Sequence, residues 1–308
     1  MGAKAIRQGN RMGVVRKKNK VARNVLRPNR SRGGDLFIGF ILIVFGVFFA
    51  FPLVFIAGNA FKPLTELFLV PPLLFPVNPT LANLQDLFII LSRSWVTFTR
   101  YLFNTLFITT VGTVGHLMIA SLGAYAISKY EFPGSKFFFG LVITTLMFTG
   151  FVTEIPNFLI LANLGWIDTY WAVIIPAFAF PMGFFLMKQF MDTVPMSLIE
   201  SAKIDGAHEW LIYIRIVLPL VKPALLTGMI FSVQALWNNP QATLIHTEQL
   251  KPLPFALSQI LGSPQTPNIA RVGVSAAVTL VMIIVPITLF IIAQSNIMRT
   301  MANSGIKE

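Results

Sequence analysis

The chain has 308 residues, of which 55% are hydrophobic and 12% are charged, and its mean hydropathy is +0.72. This composition is too apolar for a soluble domain and is typical of a polytopic membrane protein. The net charge is +12, but eleven of the 24 basic residues lie before Asp35, which favours a topology signal over nucleic-acid binding. The absence of cysteine excludes disulfides, thiolate metal sites and cysteine nucleophiles.

The basic segment 1–35 precedes the first apolar run, which begins at Leu36. That run is longer than the core of a signal peptide, so we predict a retained helix rather than a cleaved signal. We interpret 1–35 as a cytoplasmic arm held near anionic lipid headgroups. Its basic residues are not interleaved with aromatic residues, and no nucleic-acid partner is predicted.

Six windows are long and apolar enough to cross a membrane, which requires about 20 residues. They are Leu36 to Phe61, Tyr101 to Ser128, Phe137 to about Leu161, Thr169 to Met187, about Leu218 to Trp237, and Val272 to Met298. Two other uncharged windows, 67–85 and 252–270, hold four prolines each, and we predict loops outside the bilayer there, in which short helices could lie on the membrane surface. The predicted fold is all-α and polytopic, with six transmembrane helices in one domain, 36–308.

The distribution of lysine and arginine predicts the orientation of these helices, because cytoplasmic segments of membrane proteins are enriched in both. With the N-terminus in the cytoplasm, the inner segments carry 19 basic residues and the outer segments carry five. Without the N-terminal arm, the count is still eight to five. Six spans then place the C-terminus in the cytoplasm as well.

The segment between the fourth and fifth spans, about 194–217, is the most informative part of the chain. Pro195 suits the first turn of a helix, and apolar residues recur at helical spacing after it. Asp205-Gly206 breaks this helix, and a second short helix is predicted from about Ala207 to Val217. The sequence therefore predicts a cytoplasmic hairpin of two helices, either a docking surface for another protein or an ordinary interhelical loop.

This hairpin resembles the EAA loop of binding-protein-dependent ATP-binding-cassette permeases, and its Ile-Asp-Gly-Ala run resembles the carbohydrate-type, maltose-permease-like branch. Motifs similar to those of the family continue in the same order over roughly 36–308. They are Asn78 to Asn83, Asn104-Thr105, Ala124-Tyr125-Ala126, Leu164 to Thr169, Glu200 to Ala207, Ile216 to Leu220, Lys222-Pro223-Ala224, Trp237-Asn238 and Ser304 to Lys307. One departure is Ser201, where the family usually has alanine, and serine is small enough to fit.

The resemblance implies a permease subunit of an ATP-driven importer in the bacterial plasma (inner) membrane, forming half of a pathway for a sugar or oligosaccharide. It implies three partners: a cytoplasmic ATPase dimer, a sister permease, and an extracytoplasmic solute-binding protein that docks on the outer segments 62–100 and 238–271. The residues implied in coupling to the ATPase are Glu200, Ser201, Ala202, Asp205, Gly206, Ala207, Leu218 and Pro219.

The chain has no phosphate-binding loop of the G-x-x-x-x-G-K-[ST] type, and Gly134-Ser135-Lys136 does not qualify because no strand precedes it. ATP and Mg are therefore expected on the partner ATPase, with no cofactor and no catalytic residue on this chain, which is not expected to be an enzyme. Energy would arrive mechanically through the hairpin. The three histidines are far apart in the sequence, and no metal site is predicted.

A sugar pathway through lipid needs polar or aromatic side chains that face a cavity, and the spans offer few. The candidates are Asn104, Glu154, Asn157, Trp237 and Asn238. Glu154 is the only carboxylate in its apolar stretch, and an ionisable residue at such depth is a functional candidate by default. The alternatives are an interfacial position for Glu154 and Trp237 and helix packing for Asn104. His116, inside the second span, is predicted to pack between helices.

Three other functions remain open. An amino-acid or peptide permease of the same superfamily is the nearest alternative. An ion-coupled secondary carrier would need carboxylates facing the pathway or inverted repeats with broken helices, and neither is evident beyond Glu154. A membrane scaffold without a pathway would tolerate deletion of the hairpin with no loss of solute uptake.

Overall fold

The computed structural model describes residues 32–92, 96–148, 150–240, 243–262 and 268–304. These ranges consist of helices and loops, with no β-strand among them, so the all-α prediction is confirmed for this part of the chain. The contacts divide the chain into two units at the boundary between Phe55 and Ile56. Most of the basic arm and the last four residues of the Ser304 to Glu308 run lie outside the described ranges.

The helices are named α1 to α14 in chain order. Their bounds are α1 Arg32–Ala60, α2 Leu64–Leu67, α3 Ala82–Ser92, α4 Phe98–Lys129, α5 Ser135–Thr145, α6 Gly150–Asn163, α7 Trp171–Phe178, α8 Pro181–Asp192, α9 Met196–Ile204, α10 Glu209–Ile212, α11 Leu218–Leu220, α12 Lys222–Trp237, α13 Leu253–Gly262 and α14 Asn268–Ser304. A π-helical turn, Tyr213–Val217, joins α10 to α11, and a 3₁₀ turn, Glu248–Leu250, precedes α13.

Four stretches of the described chain are long and apolar enough to cross a membrane. They are Gly33–Ala60, Phe98–Lys129, Trp171–Asp192 and Val272–Gln294. A fifth candidate is a pair of helical segments, Glu209–Leu220 and Lys222–Trp237, which meet at an angle of 77°. These five correspond to the first, second, fourth, sixth and fifth predicted spans.

The third predicted span, Phe137 to about Leu161, is two shorter helices in the structure, α5 and α6. At 11 and 14 residues they measure roughly 17 and 21 Å, and neither alone would cross a hydrocarbon core of about 30 Å. The hydroxyls of Thr144 and Thr145 donate to the carbonyls of Gly140 and Val142 at the end of α5. Such back-bonding, in a run of β-branched residues, favours a bend or an end of the helix.

The window 252–270, predicted as a loop in which short helices could lie, contains one such helix, because α13 occupies Leu253–Gly262. Pro252 and Pro254 lie at the start of this helix, where the first turn tolerates proline because its N–H groups have no intrahelical acceptor. The buried side chains of Leu253, Leu257 and Ile260 then pack in a cluster with residues of α3, α4 and α14. A count of prolines alone therefore hides this helix.

Helix α4 is the centre of the bundle and packs against α7, α8 and α12, while α12 also packs against α14. His116 of α4 is fully buried, and its Nδ1 lies 3.1 Å from the carbonyl oxygen of Phe178, at the end of α7. Gly183 of α8 lies against the imidazole, since a Cβ at this position would be 2.1 Å from Nε2. The histidine thus has the predicted packing role, and a glycine permits the close approach of α8.

The motif Asn78 to Asn83 closes the loop that follows α1. Asn83 Nδ2 donates to the carbonyl oxygens of Ala60 and Lys62, at 3.1 and 2.8 Å, where α1 ends. The Glu66 carboxylate accepts hydrogen bonds from the backbone N–H and the side-chain amide of Asn78, at 3.0 and 3.1 Å. The bonds from Asn83 satisfy buried carbonyl groups at the end of α1, which would otherwise lack partners.

Candidate functional site

The first arm of the hairpin is α9, and its end explains the Asp-Gly-Ala run. Gly206 has a φ of +80°, which a residue with a side chain rarely adopts. The Gly206 N–H donates to the Lys203 carbonyl at 3.0 Å, and the Ala207 N–H donates to the Ala202 carbonyl at 2.9 Å. This pair of bonds is a Schellman motif, which ends the helix and turns the chain.

The second arm begins at Glu209, two residues later than predicted. His208 caps it, because its Nδ1 accepts a hydrogen bond from the Leu211 N–H at 3.2 Å. Histidine is not among the usual N-cap residues, so the sequence pattern does not reveal this cap. The arm continues through the π-helical turn to Leu218, and the chain then bends into α12.

The predicted coupling residues divide between the two sides of the hairpin. Ala202 is buried in a hydrophobic cluster with α4 and α8, and Ala207 and Leu218 are partly buried against it. The exposed members are Glu200, Ser201, Asp205, Gly206 and Pro219. The hairpin is therefore held to the bundle by small and apolar side chains and presents a polar rim.

The hairpin also exposes large apolar side chains that the sequence analysis did not select, of which Ile204 and Trp210 are the most exposed. Ile204 is 86% exposed and Trp210 is 60% exposed, on either side of the turn at Gly206. Exposed apolar side chains beside a polar rim are typical of a protein interface, and tryptophan is enriched among the residues that contribute most to binding. In the sequence, these two residues could have been recognised as large apolar residues on either side of the Asp-Gly turn.

The two arms are joined to each other and to α4 by polar contacts. Lys203 Nζ lies 2.7 Å from Glu209 Oε1, and Tyr125 of α4 donates its hydroxyl to Glu209 Oε2 at 3.0 Å. The hydrogen bond to Glu209 raises the pKa of Lys203 above its usual value. Farther along α4, Ser121 Oγ and the Tyr213 hydroxyl are 2.6 Å apart. Since Tyr125 belongs to the Ala124-Tyr125-Ala126 motif, the structure gives that motif a contact with the hairpin.

A second polar cluster fixes the loop between α12 and α13. Asp168 has a φ of +62°, and its carboxylate accepts hydrogen bonds from the backbone N–H groups of His246 and Thr247 at 2.9 and 2.7 Å. The Thr247 hydroxyl donates to the same carboxylate. Partial burial raises the pKa of Asp168, but the bonds from Thr247 and His246 outweigh that effect, and the pKa lies below its ordinary value.

Asn104, a predicted pathway residue, belongs to the anchor of this same loop. Its side chain is fully buried, and Nδ2 donates to the carbonyl oxygens of Gln249 and Lys251 at 2.8 and 2.9 Å. Its Oδ1 accepts a hydrogen bond from the Tyr170 hydroxyl at 2.7 Å. The neighbouring Thr105 Oγ1 accepts from the N–H at the start of α13. All these contacts are with protein groups, so Asn104 holds the loop rather than facing a cavity.

A cavity of about 230 Å³ lies between α7 and α12. Asn157 of α6 lines it, and it is the predicted pathway residue that the structure places there. Ser232 and Asn239 add polar groups that the sequence analysis missed, and Phe180 adds an aromatic face. A single serine in an apolar helix is too common to mark a cavity by sequence alone.

The other predicted pathway residues do not line this cavity. Glu154 is exposed on α6. Trp237 is buried, and its Nε1 donates to the Met282 carbonyl of α14 at 3.0 Å. Asn238 donates to the Gln234 carbonyl at 3.0 Å, at the end of α12. The structure therefore separates these residues instead of gathering them into one site.

Long apolar helices around a cavity, with an anchored hairpin at one end, define a polytopic membrane protein of the transport class. The family described as "Binding-protein-dependent transport system inner membrane component" matches residues 42–303. The chain belongs to this family, and it is thus an inner-membrane component of a transport system rather than an enzyme.

Several characterised proteins are similar to the chain. A polygalacturonan/rhamnogalacturonan transport system permease protein of Bacillus subtilis is 30% identical over 75% of this chain and 79% of its own length. An arabinooligosaccharides transport system permease protein of Halalkalibacterium halodurans is 31% identical over 88% of this chain and 95% of its own.

A chain in the crystal structure of a bacterial ABC transporter involved in the import of the acidic polysaccharide alginate shares the fold. The TM-score is 0.71, with 23% identity, over 87% of this chain and 99% of that one. A second solved structure, of the alginate ABC transporter in complex with an alginate pentasaccharide-bound periplasmic protein, gives a TM-score of 0.57 at 15% identity. At these identities the likeness concerns the fold.

Replacing Asp168 with alanine should release the loop that follows α12. We expect amide exchange at His246 and Thr247 to rise about tenfold or more, because a hydrogen bond to a charged group contributes about 1.5–3 kcal/mol. Hydrogen–deuterium exchange of the purified chain measures this, and Asp205→Ala, which removes an exposed carboxylate outside the cluster, should leave these amides unchanged.

The pH dependence of the same amides tests the carboxylate directly. A carboxyl group whose pKa is lowered by folding stabilises the folded state above its unfolded pKa and loses that effect as the pH falls through the folded pKa. Protection in the unmodified chain should therefore persist down to about pH 4. Loss of protection between about pH 7 and pH 5 would contradict the assignment.

Proposed function

We propose that the chain is a permease subunit of an ATP-driven, binding-protein-dependent importer and forms half of the pathway for a sugar or oligosaccharide. The observation that carries this proposal is the family match over 42–303, together with the two similar permeases, which are named for polygalacturonan/rhamnogalacturonan and for arabinooligosaccharides. An amino-acid or peptide substrate is the nearest alternative, and the carbohydrate names of these relatives weigh against it.

In this proposal the chain crosses the membrane six times, with α5 and α6 together forming the third span. Both termini and the hairpin lie in the cytoplasm, which agrees with the 19 basic residues on that side against five on the other. The basic arm 1–35 then lies at the cytoplasmic surface, and the domain 36–308 contains the spans. The loops 62–100 and 238–271 face outwards.

The proposed contact with the partner ATPase dimer is made by the hairpin 194–217. The polar rim around Glu200 and the exposed side chains of Ile204 and Trp210 supply an interface of mixed character. The contacts of Glu209 with Lys203 and Tyr125 would pass a displacement of the hairpin to α4. ATP and Mg are bound by the partner, and this chain contributes no cofactor.

The pathway is proposed to pass between this chain and a sister permease, and the cavity lined by Asn157, Ser232 and Phe180 is this chain's contribution. Its volume of about 230 Å³ is below the roughly 300–1,000 Å³ of complete small-molecule sites, as expected of half a pathway. The anchored loop at Asp168 and Asn104 lies on the outer side in this topology. It supplies a rigid surface on which an extracytoplasmic solute-binding protein can dock.

Affinity purification of the chain from its native membrane tests the whole proposal. We expect a nucleotide-binding ATPase and a sister permease to co-purify, and ATP hydrolysis to rise when the cognate sugar-binding protein is added. Mass spectrometry identifies the subunits, and an ATPase assay with candidate binding proteins selects the substrate class. A chain that purifies alone, without ATPase activity, would favour the secondary-carrier or scaffold alternatives.

Substitutions in the hairpin test the coupling. Glu200→Lys and Gly206→Pro should leave insertion intact and abolish transport-coupled ATP hydrolysis, since the first reverses a rim charge and the second removes the N–H that donates to Lys203. Gly206→Ala keeps that donor and costs about 1–2 kcal/mol at a positive φ, so it should have a weaker effect. Normal uptake by both Glu200→Lys and Gly206→Pro, at equal amounts of inserted protein, would contradict the proposed coupling role of the hairpin.

A substitution in the cavity tests the pathway. Asn157→Leu removes a polar group that faces the cavity and should lower uptake about tenfold, the factor that corresponds to one lost hydrogen bond of roughly 1.4 kcal/mol. Asn163→Leu, the same change at an exposed position on the same helix, is the matched control. Uptake into proteoliposomes is measured for both variants, and equal uptake rates would contradict the assignment of this cavity to the pathway.

A further inference from the structure

A larger cavity, of about 680 Å³, lies where three apolar segments end. The last turn of α4, the first turn of α5 and the last turn of α8 form its walls, and the residues before α9 complete it. Because the apolar helices end here, the cavity lies at the level of the lipid headgroups once the chain is in a membrane. It is separate from the cavity at Asn157 and shares no lining residue with it.

The charges in this cavity leave an excess of one positive charge, from three lysines and two carboxylates. Asp192 is engaged internally, since Lys188 Nζ lies 2.6 Å from one of its oxygens and Ser128 donates to the other at 2.8 Å. Lys129 Nζ donates one hydrogen bond, to the Val194 carbonyl at 2.7 Å, and has two further N–H groups. Lys136 is exposed and has no hydrogen bond or ion pair within the described ranges.

The remaining carboxylate, Glu131, restricts the ligand. A ligand with one negative charge balances the excess of one positive charge in the cavity, whereas a second negative charge would be left without a lysine to balance it. Hydroxyl groups on the same ligand could donate to the Glu131 oxygens, because a carboxylate only accepts hydrogen bonds. A phosphodiester that carries a polyol, such as a phosphatidylglycerol headgroup, combines both properties.

The surface next to the cavity is suited to acyl chains. Phe137 and Phe138, on the first turn of α5, are 66% and 53% exposed, and Leu141 continues the apolar surface one turn later. Phe139 lies inside the cavity, with Lys188 Nζ 4.4 Å from its ring centre. A lipid whose headgroup enters the cavity can therefore lay its tails along α5.

We propose that this cavity binds the headgroup of an anionic phospholipid with a single negative charge and free hydroxyl groups. Basic pockets between membrane helices are known to take anionic headgroups. Lys129 and Lys136 would contact the phosphate, and Glu131 would accept from the headgroup hydroxyls. The lipid would then lie beside Val194 and Pro195, at the base of the hairpin. The inference depends on the membrane location and not on the transported solute.

Native mass spectrometry of the full chain in detergent, with phosphatidylglycerol or phosphatidylcholine added, tests the proposal. Phosphatidylglycerol should be retained preferentially, and Lys136→Gln should weaken it roughly fivefold, the contribution of one lysine near an anionic headgroup. Lys222→Gln, which removes an exposed lysine at the start of another apolar helix, should change nothing. Equal retention of the two lipids, or equal effects of the two variants, would overturn the proposal.

Photo-crosslinking identifies what occupies the cavity in the native membrane. With benzoylphenylalanine in place of Ser135, we expect an adduct whose added mass is that of a phospholipid. A cross-link to a protein chain would show that a partner subunit covers the cavity, and the lipid assignment would fail. Displacement of bound phosphatidylglycerol by millimolar inorganic phosphate would likewise point to a free anion as the ligand.

Discussion

The structure depends on one constraint: backbone polar groups near the hydrocarbon must find partners within the protein. The helices satisfy most of these groups, and the difficulty lies where a helix ends and a loop begins. Asn83, Asn104 and Asp168 are among the side chains that solve it, since they bind loop backbone groups at the ends of apolar helices. The loops are fixed as a result, although they carry little regular structure of their own.

The hairpin follows the same rule, and the proposed coupling would give it a mechanical role. The Schellman motif at Gly206 satisfies the carbonyls at the end of α9, and His208 satisfies an N–H at the start of α10. Its inner side is apolar and continuous with the core formed by α4 and α8. A rigid hairpin with an apolar inner side can transmit a displacement, whereas a solvated loop would absorb it.

The sequence predicted the helical architecture well where long apolar runs exist, because hydrophobicity alone decides those segments. It was less accurate for the third span, where the threonines that end α5 form local bonds that a hydropathy window does not register. It gave no bounds for α13, where the positions of Pro252 and Pro254 within the first turn matter more than their number. The predicted start of α10 was two residues too early, because His208 is an unusual N-cap residue.

The candidate site residues differ in how far the sequence alone could identify them. The hairpin could be selected because its turn chemistry is local, and Gly206 shows the positive φ that Asp-Gly suggests. The pathway residues could not be ranked, since Asn104 and Asn157 are the same residue type in apolar surroundings and differ only in their neighbours. Asn104 is enclosed by loop carbonyls, and Asn157 faces a cavity. That distinction depends on tertiary contacts, which no pattern along the chain contains.

The angle of 77° between the helical segment that ends at Leu220 and α12 has a geometric consequence. Helix α12 has 16 residues and is about 24 Å long, so a rotation of about 10° around the bend carries its far end through about 4 Å. Ser232 and Leu236, which line the smaller cavity, lie toward that far end. In the proposed coupling, α12 would act as a lever arm that carries a rotation at the hairpin to the cavity wall.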